Sequence, residues 1–203
     1  MATIEFFFDF SSPWTYFAAT RVEDFCARNG AELVWKPFLV GGVFNKVNPS
    51  VYQRREHPIP PKDNYYKKDM EDWARYLGIE IVRPSVFPVN SVKALRGAFV
   101  AIDQGTISAY AKAVFQAYWR DDKDISQDAE LRAIVHAVGM DVDAFFTGIT
   151  NDAVKRKLFE STDELIGRGG FGTPTFFVDR DDMYFGNDRF ELMQAALDRK
   201  KKA

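Results

Sequence analysis

Three short stretches hold the residues whose types and spacing could do chemistry. The first is Phe8-Asp9-Phe10-Ser11-Ser12-Pro13-Trp14-Thr15. An aromatic run stops at two serines, and a proline follows. Serine is favoured as a helix N-cap, and proline is tolerated at the first helical position because its missing N–H has no partner there anyway. One reading gives Ser12 only this capping task. The other uses the place itself. Where a strand end meets a helix N-terminus, the first N–H groups are unpaired and carry the positive end of the helix dipole, so an anion is welcome. A hydroxyl at that point can donate a hydrogen bond to a thiolate.

The second stretch is Gly172-Thr173-Pro174-Thr175. An X–Pro bond is ordinarily trans. A cis bond would instead leave the Thr173 N–H and C=O free to pair with an extended peptide, as an added strand does. The third is Phe185-Gly186-Asn187-Asp188-Arg189. Asp188 can be read as an N-cap for the helix that follows. With Arg189 it can also be read as a holder for the amino-acid end of a ligand, the carboxylate facing an ammonium and the guanidinium a carboxylate.

Composition removes several other chemistries. Cys26 is the one cysteine, so no CxxC pair, internal disulfide or thiolate-rich metal site can form. His57 and His136 are far apart, and no metal is expected. The net charge of -2 gives no basic footprint for nucleic acid. The start, MATIEFFFDF, lacks the features of a signal peptide, and no apolar run approaches the ~20 residues that span a bilayer. The expectation is a soluble, cytoplasmic chain without membrane or nucleic-acid partners. The basic run Arg199–Lys202 reads as the end of a helix, where cations suit the dipole.

These stretches need elements to carry them. Residues 3–10 are too apolar for a one-sided strand and read as a buried central one. From Trp14 to Arg28 the apolar residues recur at helical spacing, with Gly30 as the stop. Residues 31–38 read as a second strand, so the chain opens β-α-β with parallel strands. Residues 39–63, with Gly41, Gly42 and prolines 49, 58, 60 and 61, read as a long irregular loop. Helical patterns follow at 69–76, 91–104, 108–120, 129–138, 142–147 and 151–168. Asp141 and Asn151 are candidate N-caps, and Gly78, Gly105 and Gly139 candidate stops. Strands return at 173–178 and 183–185, and a last helix runs from Asp188 to about Arg199. The order is β-α-β, a helical block, then β-β-α.

On FDFSSPWTY, PFLVGGVFN, FPVNSVKALR (87–96), FGTPTFF (171–177) and FGNDRF (185–190), the chain resembles the DsbA-related kappa-class glutathione transferases and 2-hydroxychromene-2-carboxylate isomerases. The matches run in order along nearly the whole chain. The resemblance implies an α/β, thioredoxin-like fold with a large all-helical insertion between its two halves. The thioredoxin-like part is expected to hold residues 1–62 and 165–203, and the insertion residues 63–164. It implies glutathione as cofactor, with Ser12 at the sulfur. The backbone of Thr173, before a cis Pro174, pairs with the cysteinyl part. Asp188 and Arg189, with Asn187 beside them, receive the γ-glutamyl end, and Asn48 is a further contact. Ser11 stays open as the alternative to Ser12, which its place before Pro13 favours.

The function so implied is isomerisation of 2-hydroxychromene-2-carboxylate to the ring-opened trans-o-hydroxybenzylidenepyruvate, a step of aromatic catabolism, assisted by the glutathione thiol. Arg54, Arg55, Lys62 and Asn64 lie in the segment that could receive the carboxylate of such a small aromatic substrate. A kappa-type transferase or peroxidase is the alternative, and a non-catalytic thioredoxin-fold binding module the second. Thiol-disulfide exchange fits poorly with a single cysteine on the apolar face of the first helix. On the resemblance alone, the expected assembly is a homodimer.

Overall fold

The computed structural model describes residues 1–201, apart from the side chains of Arg54 and Arg55. Its sheet has four strands, β1 (Thr3–Phe8), β2 (Glu32–Pro37), β3 (Thr175–Val178) and β4 (Asp182–Phe185), in the order β2-β1-β3-β4. β2 lies parallel to β1, whereas β3 is antiparallel to both β1 and β4. The crossover from β1 to β2 is helix α1 (Pro13–Asn29), as a parallel pair requires. β1 is central, which explains its apolar character: Ile4, Phe6, Phe7 and Phe8 are fully buried. This is the thioredoxin-like α/β fold that the sequence implies.

Side chains alternate across β1 and so feed two cores. Ile4, Phe6 and Phe8 join the larger one. Phe6 stacks on Phe176 at 5.1 Å, and Phe10 meets Phe115 edge-on at 4.8 Å. This core runs without a break into the helices of the insertion, α5 (Val92–Asp103), α6 (Ile107–Trp119), α7 (Asp128–Ala137) and α8 (Val142–Thr150), and onto the last helix, α10 (Phe190–Lys201). The indole of Trp119 donates to the Phe10 carbonyl at 2.8 Å and so ties α6 to the segment after β1. On the other face Phe7 and Phe177 pack with Phe38, Val40, Val43 and Leu165. That cover comes from α2 (Val40–Val47) and α9 (Asp152–Gly167).

Residues 39–63 are a correction. They are not an irregular loop but hold α2, α3 (Ser50–Glu56) and the first turn of α4 (Pro60–Leu77). The prolines sit where a helix tolerates them. Pro49 is the N-cap of α3, and Pro60 and Pro61 open α4. Gly42 stands inside α2 for a packing reason, since a Cβ there would come within 3.2 Å of Thr162 on α9. Other local signals agree with the structure. Asp141 and Asn151 accept from Ala144 N–H and Ala153 N–H as caps, and Gly30 and Gly78 end α1 and α4 in the left-handed conformation.

Candidate functional site

Ser12 is the N-cap of α1. Its Oγ accepts the Thr15 N–H at 3.3 Å, and its carbonyl accepts the Tyr16 N–H at 3.1 Å. Pro13 brings no N–H, and among the described residues no acceptor engages the Trp14 N–H. The Ser12 hydroxyl proton is not used by the cap, because the oxygen acts there as acceptor. Ser11 differs. Its N–H donates to Asp9 Oδ1 at 2.9 Å, and its hydroxyl also bonds the Asp9 carboxyl.

The Thr173–Pro174 bond is cis. Thr173 is buried, and among the described residues no hydrogen bond engages its N–H or C=O. Its hydroxyl lies 2.8 Å from that of Thr15, so the turn sits directly against the first turn of α1. Thr175 Oγ1 donates to the Gly172 carbonyl at 2.8 Å and braces the same loop.

The third stretch closes on the other two. The Gly186 N–H donates to the Pro174 carbonyl at 3.0 Å. Arg21, on α1, donates to the Asn187 carbonyl at 3.1 Å, with its guanidinium 4.2 Å above the Phe190 ring. Asn187 is buried, and among the described residues its Nδ2 donor has no partner. Asp188 is not an N-cap: α10 starts at Phe190, and the first helical bond goes from Met193 N–H to the Arg189 carbonyl. The Asp188 carboxylate instead pairs with the Arg189 guanidinium at 2.8 Å, both half-exposed.

Beside Ser12, α4 crosses the start of α1. Trp14 meets Tyr66 edge-on at 5.3 Å. A cleft of about 400 Å³ opens here, lined by Pro61, Lys62, Tyr65, Tyr66 and Asp69. Lys62, Tyr65, Tyr66 and Asp69 recur at helical spacing, whereas Asn64 is exposed outside that lining. The Asp69 carboxyl is raised above the usual carboxylate range, first by partial burial and then by the charges of Asp72 and Asp188. Asn48 ends α2, and its amide donates to the Phe171 carbonyl at 3.1 Å, two residues before Thr173. Arg54 and Arg55 belong to α3, and their side chains lie outside the described residues.

Comparison with known proteins places this geometry. The family model for a DSBA-like thioredoxin domain matches residues 3–198. A 2-hydroxychromene-2-carboxylate isomerase from Pseudomonas sp. (strain C18) is 31% identical over 199 residues, 96% of this chain and 89% of that one. The chain belongs to the family of DsbA-like isomerases and kappa-class glutathione transferases. A solved structure of a 2-hydroxychromene-2-carboxylate isomerase superposes with a TM-score of 0.83 at 28% identity, covering 98% of this chain and 96% of that one. Glutathione s-transferase kappa 2 of Caenorhabditis elegans is 28% identical over 86% of this chain and 80% of its own.

For a member of this family, three residues at the site went unread in the sequence. Thr15 looks like one more turn residue of an amphipathic helix. Asp69 stands in a charged segment, and only the face it shares with Lys62 and Tyr66 marks it. Asp9 is the third: fully buried, it accepts the N–H groups of Ser11 and Val40, each at 2.9 Å, and the hydroxyls of Ser11 and Ser91. Burial pushes its carboxyl up, against these donors that hold it down. An acidic residue among the four phenylalanines of residues 6–10 is the signal that could have found it.

Proposed function

We propose that this chain is a glutathione-dependent isomerase that converts 2-hydroxychromene-2-carboxylate to trans-o-hydroxybenzylidenepyruvate. The observation that carries the reading is the juxtaposition of Ser12, at the N-terminus of α1, with the free backbone of Thr173, joined through Thr15. The residues suit the tripeptide. The N–H and C=O of Thr173 form one place for antiparallel pairing with an extended peptide. Asp188 and Arg189 offer opposite charges to an amino-acid end, and the unpartnered Asn187 amide is a buried donor close by. Glutathione, when bound, supplies the thiol on which this chemistry depends.

The chain's own groups have separate tasks. The Ser12 hydroxyl donates toward the sulfur position, and the Trp14 N–H and the α1 dipole favour negative charge there. Ser11 is occupied with Asp9, which supports Ser12 for this role. In the neighbouring cleft, Tyr66, which meets Trp14 edge-on, offers an apolar ring face to a planar bicyclic substrate. Lys62 is the cation for its carboxylate, and Asn48 steadies the loop before Thr173. Holding two partners in one orientation is itself a large part of such catalysis.

The test is a glutathione titration followed by an isomerase assay on the chromene carboxylate, with thiol conjugation to a chloronitrobenzene measured beside it. The reading requires saturable glutathione binding and turnover that depends on it. Conjugation without isomerisation would move the chain to the kappa-type reading. Binding without either would make it a binding module.

A further inference from the structure

Thr15 touches both halves of the site. Its backbone N–H donates to Ser12 Oγ, and its hydroxyl shares a 2.8 Å hydrogen bond with that of Thr173, across 158 positions of sequence. Both threonines are buried, with Thr15 at zero exposure, so water does not compete for this bond. We propose that Thr15 is a positioning residue that sets the distance between the sulfur anchor, Ser12, and the peptide anchor, the Thr173 backbone. This inference rests on the reading of the site as a glutathione site.

The physical reason is that the two anchors belong to different parts of the fold. Ser12 follows β1, whereas Thr173 precedes β3 and is reached only after the whole helical insertion. The loop of Thr173 is braced from its own side by Thr175 on Gly172 and by Gly186 on Pro174. None of those bonds fixes it relative to α1. The β1–β3 ladder and the Arg21–Asn187 bond bring the segment to α1, and the Thr15–Thr173 bond ties Thr173 itself to the first turn, beside Ser12. A tripeptide must place its sulfur and its backbone together, so an error in this spacing is felt as lost glutathione affinity.

The experiment is glutathione binding by calorimetry on the full chain, well below the melting transition, for the wild type and for Thr15→Val, Thr173→Val, the double variant and Thr15→Ser. The expected result is Kd raised about three- to tenfold in each single valine variant, as for a lost buried hydrogen bond. The double variant should be no weaker than either single one, because all three lack the same bond. Thr15→Ser, which keeps the hydroxyl, should bind as the wild type does. Wild-type Kd in Thr15→Val, or in Thr173→Val if the first variant fails to fold, overturns the clamp alone, whatever happens to Tm. Additive losses in the double variant overturn it too. A wild type that binds no glutathione overturns the clamp and the reading of the site together.

Discussion

Asp9, at the end of β1, accepts the N–H of Val40, at the start of α2, through a 2.9 Å hydrogen bond inside the protein. The same carboxyl holds the Ser11 N–H and a hydroxyl of the α5 N-cap, Ser91. One side chain therefore joins the loop before Ser12, the second face of the sheet and the helical insertion.

This arrangement predicts a stability change with pH. Burial raises the Asp9 pKa in the folded chain, so the protonated form is the one that folding favours. The stabilisation is fully present below the unfolded value of ~3.9 and is lost as pH rises through the raised folded value. Asp9→Asn cannot ionise. Urea unfolding of both proteins from about pH 4 to neutrality should show the wild type losing stability relative to the variant. A difference that stays flat or grows in favour of the wild type would contradict the raised pKa.

Ser12→Ala tests the proposed role of the hydroxyl. A hydrogen bond to a charged group is worth roughly 1.5–3 kcal/mol, so turnover at neutral pH should fall about ten- to a hundredfold. The loss should shrink as pH rises toward the free thiol pKa of ~8.5, where the thiol ionises unaided. Capping alone predicts about 1 kcal/mol of lost stability and an unaltered pH–rate profile. Melting curves and a pH–rate profile at saturating glutathione separate the two.

Arg189→Ala should act on binding rather than chemistry. The Asp188–Arg189 pair is half-exposed and contributes little to stability, so Tm should hardly move. The glutathione KM should rise several-fold while saturated kcat changes less. Equal losses in both constants would place Arg189 elsewhere in the reaction.

Lys62→Met keeps the aliphatic stem and removes the charge. If Lys62 receives the substrate carboxylate, KM for the chromene carboxylate should rise about tenfold, the scale of one charge-assisted contact. The glutathione KM should stay as it is. An unchanged KM for the aromatic substrate removes Lys62 from the site.

Cys26 should be dispensable. It is buried on the α1 face that packs into the core, and burial pushes its thiol up to about 12, so no thiolate is present at neutral pH. Cys26→Ser should lower Tm modestly and leave turnover intact. A large loss of turnover with normal folding would instead point to redox chemistry.

The residues by themselves determined the frame and its local punctuation. Ser12 and Pro13 announce a helix start and TIEFFF a central strand, because such preferences act within a few residues, whereas the strand expected from 173 begins only at Thr175, after the cis turn. The segment 39–63 misled for the same local reason: its glycines and prolines signal loops, yet they sit at helix starts or under a neighbouring helix. Only the tertiary structure decided what meets at the site. The Thr15–Thr173 bond, the burial of Asp9 under Val40 and Ser91, and the α4 face that sets Tyr66 against Trp14 all join residues distant in sequence. No local preference encodes such pairs. They exist because two packed faces of one sheet and a shared core bring the segments together, and only there does each polar side chain find its partner.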